Sequence, residues 1–185
     1  LTMNLRNSLS ALTLLLTPAL AFAHTGHETS GLLAGLSHPL GGLDHLLAML
    51  AVGLWAAQQQ GQARWALPVA FVASLLLGGL LGFAGPQVPW LESGIAGSVL
   101  ALGLLVALAA RLPLAAALGL TALFGLSHGV AHGLELPGAT SPLTYASGFV
   151  AATALLHAGG YALARYLPLA TAGLVRLAGA GTAGA

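Results

Sequence analysis

Gly35-Leu36-Ser37-His38-Pro39-Leu40-Gly41-Gly42-Leu43-Asp44-His45 packs two imidazoles, a carboxylate, a proline and three glycines into eleven residues of an otherwise apolar segment. The chain has only four carboxylates and five arginine side chains in 185 residues, so an aspartate here is a conspicuous expense. An ionisable residue inside a membrane segment costs roughly 2.5–3.5 kcal/mol on insertion scales and marks function by default. Two further places carry histidine. Gly125-Leu126-Ser127-His128-Gly129-Val130-Ala131-His132-Gly133 supplies a pair, and the stretch from Phe149 to Gly160 supplies His157. The expectation is that these three places meet around a divalent metal ion inside a helical membrane protein.

Composition sets the class. Hydrophobic residues make up 57% of the chain and charged residues 5%, against about 25% charged in a soluble domain. Such a chain cannot cover a water-facing surface, and it reads as an all-α, polytopic membrane helical bundle embedded in the lipid bilayer. No basic patch exists, so nucleic acid is not an expected partner. Cysteine is absent, which removes disulfides and thiolate metal sites and leaves imidazole and carboxylate as the strong ligands. The 26 glycines suit close helix packing in lipid, where small residues let backbones approach.

From Met3 the chain reads as a secretory signal peptide over residues 1–23. Arg6 forms a short basic region, an apolar core follows, and Ala21-Phe22-Ala23 is a small-x-small cleavage site. Cleavage would leave a short periplasmic tail, residues 24–31, in which the amine and imidazole of His24, with His27, form a secondary place for a metal. About six transmembrane helices are expected in a single domain spanning residues 32–185, at about 32–57, 65–84, 90–110, 112–132, 143–164 and 167–185. The last carries Arg176, an exception to the charge pattern that fits only pairing with a carboxylate or a misplaced sixth span. With the mature N-terminus outside, the connections at Arg64, Arg111 and Arg165 fall in the cytoplasm and those at Glu92 and Glu135 outside. That agrees with the positive-inside rule.

The ligand chemistry follows from spacing. His128 and His132 stand at i, i+4 and share one helix face, and Glu135 continues the stripe. Gly125, Gly129 and Gly133 form a second stripe beside it, along which another helix can approach. In the first segment an unbroken helix would hold His38 and His45 roughly 10 Å apart. Pro39 and the Gly41-Gly42 pair should kink or break it and fold the two imidazoles together. Asp44 serves either as a ligand or as the group that orients one. The tetrapeptide Gly-Leu-Ser-His occurs at Gly35 and again at Gly125, read as two contributions to one site or as coincidence. The expected metal residues are therefore His38, Asp44, His45, His128, His132 and His157, with Glu135, His24 and His27 secondary. Neutral imidazoles with one or two carboxylates suit Ni²⁺, Co²⁺, Cu²⁺ or Zn²⁺ over Mg²⁺ and Ca²⁺.

The His38-to-His45 motif, the Phe124-to-His132 histidine pair, the His157-Ala158-Gly159 segment and the signal peptide together resemble the HupE/UreJ family of bacterial membrane proteins. The resemblance covers nearly the whole chain. It implies a permease that takes up Ni²⁺, with Co²⁺ in some members, across the bacterial inner membrane, and no organic cofactor. It also implies a link to nickel enzymes such as hydrogenase or urease. No phosphate-binding GxxxxGK[ST] loop occurs, so no ATP hydrolysis of that kind is expected. Two alternatives stand beside a permease with no catalytic residue: an intramembrane zinc hydrolase using Ser37 or Ser127, and a metal-binding accessory protein.

Overall fold

The computed structural model describes residues 31–85, 87–135 and 141–166. The expected signal peptide, His24 and His27 of the tail, and the sixth segment with Arg176 lie outside the described residues. Within them the chain forms six helices and no strand: α1 (Gly31–Gly41), α2 (Leu43–Gln58), α3 (Ala63–Phe83), α4 (Leu91–Ala107), α5 (Leu114–Leu134) and α6 (Pro142–Tyr166).

The first apolar segment is two helices. Pro39 lacks a donor and sits in the last turn of α1, and Gly42 adopts an extended backbone, φ −106° and ψ 120°. The axes of α1 and α2 bend by 85° across that one residue. Helices α3, α5 and α6, of 21, 21 and 25 residues, are long and apolar enough to cross a membrane, and the bent pair counts as a fourth span if taken as one. Of the five expected spans that fall within the described residues, α4 is the one too short for that length, with only 17 residues. Its ends are set by left-handed backbone at Trp90 (φ 66°) and Ala109 (φ 48°), after which Pro113 opens α5. Such conformations are uncommon for residues with a Cβ and interrupt the helix at each end.

Close backbone contacts at glycines seat the helices of the bundle against one another. A Cβ on Gly78 or Gly82 of α3 would collide with the Leu126 or Val130 carbonyl of α5, and one on Gly129 or Gly133 with the Leu75 or Gly79 carbonyl of α3. The glycine stripe thus seats α3 against α5 as small-residue contacts do in lipid. The same device, through Gly35 and Gly148, then Gly53 and Gly160, seats the bent pair α1–α2 against α6. Met49, Val52 and Trp55 of α2, Leu67 and Phe71 of α3, and Leu102 and Val106 of α4 are fully enclosed between these layers.

Polar side chains lie among the buried residues, and large apolar ones project outward. Leu80 (72% exposed) and Leu155 (68%) project outward, whereas Ser98, Thr121, His128, His132, Thr153 and His157 are buried. The two ends differ in charge. Following the helices in order, Asp44, Glu92 and Glu135 gather at one end, and Arg64, Arg111 and Arg165 at the other. At the arginine end Trp55 Nε1 and Gln59 Nε2 both donate to the Ala110 carbonyl, at 2.8 and 3.0 Å, tying α2 to the α4–α5 connection.

Candidate metal centre

The break at Gly42 aims both imidazoles of the opening motif at α5. The His38 ring meets His132 edge-on with centroids 4.8 Å apart, and the His45 ring lies 4.1 Å from that of His132. His45 Nδ1 stands 2.9 Å from His128 Nδ1. Four imidazoles from three helices therefore form one string, ordered His38, His132, His45 and His128. A copper-, nickel- or zinc-type ion with bonds of about 2.0–2.1 Å places adjacent ligand atoms about 2.9–3.4 Å apart. The His45–His128 pair already stands at such a separation.

Glu135 closes the outer end of the string. Its Oε2 is 3.3 Å from His38 Nε2. One ligand atom from each of His38, His132 and Glu135 lies within 4.8 Å of the others, more than an ångström wider than adjacent ligand atoms stand on one bound ion. Neither ring nitrogen of buried His132 has a hydrogen-bond partner among the described residues. A buried polar atom left unpaired costs about 1–3 kcal/mol, and a bound cation is a natural way to satisfy it. The residues present thus fit a transition-metal ion.

Asp44 lies in the first turn of α2, where unpaired amides and the helix dipole favour a carboxylate. Its Oδ1 accepts the His45 backbone N–H at 2.9 Å but stays 4.0 Å from the His45 ring nitrogen. It anchors the backbone that carries His45 and keeps a partly exposed face on the adjoining cavity. That cavity, about 360 Å³, opens to the exterior between His38, Asp44, His45, Glu92 and Glu135.

His157 stands apart from the four-ring string. Phe71, fully buried, contacts both His128, centroids 6.0 Å apart, and His157 at 5.3 Å. Both nitrogens of His157 are buried without a partner among the described residues. Thr153, one turn earlier, donates to the Met49 sulfur at 3.5 Å, so the inner region is polar and soft rather than purely hydrocarbon.

Three groups at this site carry no clear signal in the sequence. Ser98 of α4 touches His128 Nε2 at 2.8 Å; Glu92 lines the cavity; Tyr145 sets its ring against His38, centroids 5.7 Å apart. Glu92 was legible as one of four carboxylates but reads as a loop charge, and a serine or tyrosine in an apolar helix has no spacing to betray it. Conversely, Ser37 and Ser127, the nucleophile candidates of a hydrolase, are exposed and donate back to the Ala34 and Leu123 carbonyls. The two Gly-Leu-Ser-His copies follow one pattern: glycine against a neighbouring helix, serine outward, histidine into the string.

Helices that enclose a string of imidazoles behind a carboxylate-lined mouth define an all-helical polytopic membrane protein with a candidate metal centre. The sequence profile described as HupE / UreJ protein matches residues 12–185, and the chain belongs to that family. Protein HupE of Rhizobium leguminosarum bv. viciae is 44% identical over 155 residues, covering 84% of this chain and 81% of that protein. No solved structure matches.

Proposed function

We propose that the chain is a permease that moves a divalent transition metal, Ni²⁺ foremost and Co²⁺ with it, from periplasm to cytoplasm across the bacterial inner membrane. The observation that carries this reading is the continuous order of donors: Glu135, His38, His132, His45 and His128, then Phe71, then His157. A resident structural metal needs one closed ligand set. Donors in succession, with a fifth imidazole set beyond Phe71, suit an ion that changes ligands as it moves. Imidazole also selects against Mg²⁺ and Ca²⁺, which take oxygen ligands.

In this mechanism Glu92, Asp44 and Glu135 draw the cation into the outer cavity. His38, His132 and Glu135 take it first, and His45 and His128 receive it beneath. Phe71 separates that pair from His157, so the ion passes inward when the ring yields. The mature N-terminus is periplasmic, and the arginine end faces the cytoplasm in accord with the positive-inside rule. Family membership supports nickel as cargo and a supply role toward hydrogenase or urease. Neither Ser37 nor Ser127 faces the imidazoles, which favours transport over hydrolysis.

The test is metal accumulation at trace Ni²⁺ and Co²⁺ in cells expressing the chain, against cells with an empty vector. Accumulation that rises with the chain and collapses in His132→Ala at equal membrane abundance is the expected result. Equal accumulation in all three strains would remove the permease reading.

A further inference from the structure

Ser98 is the one described serine whose hydroxyl has a side-chain partner on another helix. Ser37, Ser74, Ser127 and Ser147 donate to carbonyls of their own helices, the common habit of serine in an apolar helix. Ser98 does this too, toward the Ile95 carbonyl at 2.7 Å, but its Oγ also stands 2.8 Å from His128 Nε2. Its residue is 1% exposed, so no water competes for either contact.

A hydroxyl has one proton and two lone pairs, and a carbonyl only accepts. Both contacts are satisfied together when Ser98 donates to Ile95 and accepts from His128 Nε2–H. A neutral imidazole protonated at Nε2 keeps its lone pair on Nδ1, and the hydrogen bond to one ring nitrogen sets the role of the other. Nδ1 is the atom that faces His45. His45 must then be the donor of that 2.9 Å contact, since two facing lone pairs would repel.

We propose that Ser98 is a positioning residue: by holding His128 Nε2 as a donor it keeps Nδ1 available to the ion. This rests on the transport reading for what the ion does, but the ring state it predicts exists in the metal-free protein. Partners that orient a ligating histidine typically carry 10–100-fold in metal affinity, so the expected effect is ~10–100-fold.

The experiment uses the full chain, purified, with ¹⁵N-labelled histidine. In metal-free wild type the ¹⁵N shifts of His128, assigned by their loss in His128→Ala, should report one tautomer, protonated at Nε2. Ser98→Ala should give mixed tautomers and weaken Ni²⁺ binding, measured by equilibrium dialysis, by about 10–100-fold. Ser98→Thr, which restores the hydroxyl, should recover both, whereas a packing role alone would not move the tautomer. An unchanged His128 tautomer with unchanged Ni²⁺ affinity in Ser98→Ala overturns the proposal. Should Ser98→Ala fail to fold, the wild-type spectrum still decides, because an Nδ1-protonated His128 is incompatible with it. Wild-type Ni²⁺ affinity in His128→Ala would instead remove the binding reading and leave the tautomer result standing.

Discussion

His45 and His128, 83 residues apart in the chain, face one another through their Nδ1 atoms at 2.9 Å. The contact joins the two histidine motifs into one unit, because His45 also lies against His132 and thereby against His38.

A shared unit predicts non-additivity. His45→Ala and His132→Ala should each lower the initial rate of nickel uptake by about tenfold or more, and the double variant should be little worse than either. Rates are compared at matched membrane abundance. Losses that multiply would mean two independent sites in series, and full uptake in both single variants would remove the shared site.

His157 predicts a different phenotype. Lying beyond Phe71, it should be dispensable for capture and needed for passage. His157→Ala is expected to bind Ni²⁺ in purified form with near wild-type affinity while uptake falls about tenfold. Equal loss of binding and uptake would place His157 in the outer site.

The joint between α1 and α2 can be probed one residue at a time. A Cβ at Gly41 meets nothing within 4 Å, whereas one at Gly42 would press on Asp44 Oδ1 at 3.0 Å and His45 Cδ2 at 3.1 Å. Gly41→Ala should be silent, and Gly42→Ala should weaken Ni²⁺ binding about tenfold, or ~1.4 kcal/mol. Equal dialysis isotherms for the two would show that the joint does not position the motif.

Gly78→Ala tests the scaffold away from the ligands. Its Cβ would run into the Leu126 carbonyl, while Gly97 on α4 has open space around the same position. Overpacking typically costs 1–3 kcal/mol, so Gly78→Ala should lower the melting temperature in detergent by several degrees, about 1–3 kcal/mol in stability. Gly97→Ala should not. Matching melts for both variants would mean that α3 and α5 are not held by close backbone contact.

The chemistry-bearing residues were legible because the membrane makes them rare. The histidines of the string and Asp44 stood out against hydrocarbon, and Pro39 with Gly42 announced a break. What the sequence could not convey was which helix each face would meet. The stripe Gly125, Gly129, Gly133 was expected to bring in a helix that shares the site, yet it seats α3, which brings Phe71 and no ligand. The ligand partners of α5 are α1 and α2, and they approach through ring contacts rather than glycine. Ser98 was invisible for a related reason: its role comes from a meeting between α4 and α5, and nothing in the sequence of α4 encodes that neighbour.

The separation of charge between the two ends has a consequence for direction. An ion at the carboxylate end finds Asp44, Glu92 and Glu135 around an open cavity. At the opposite end it meets the neutral amides of Gln59, Gln60 and Gln62 beside the guanidinium of Arg111, around a second cavity of about 330 Å³ with no carboxylate among its lining residues. Under the proposed function the first mouth would hold a cation and the second would release it. On that reading the molecule behaves as a rectifier, with its preferred sense of flow written into where a charge-poor chain placed its few charges.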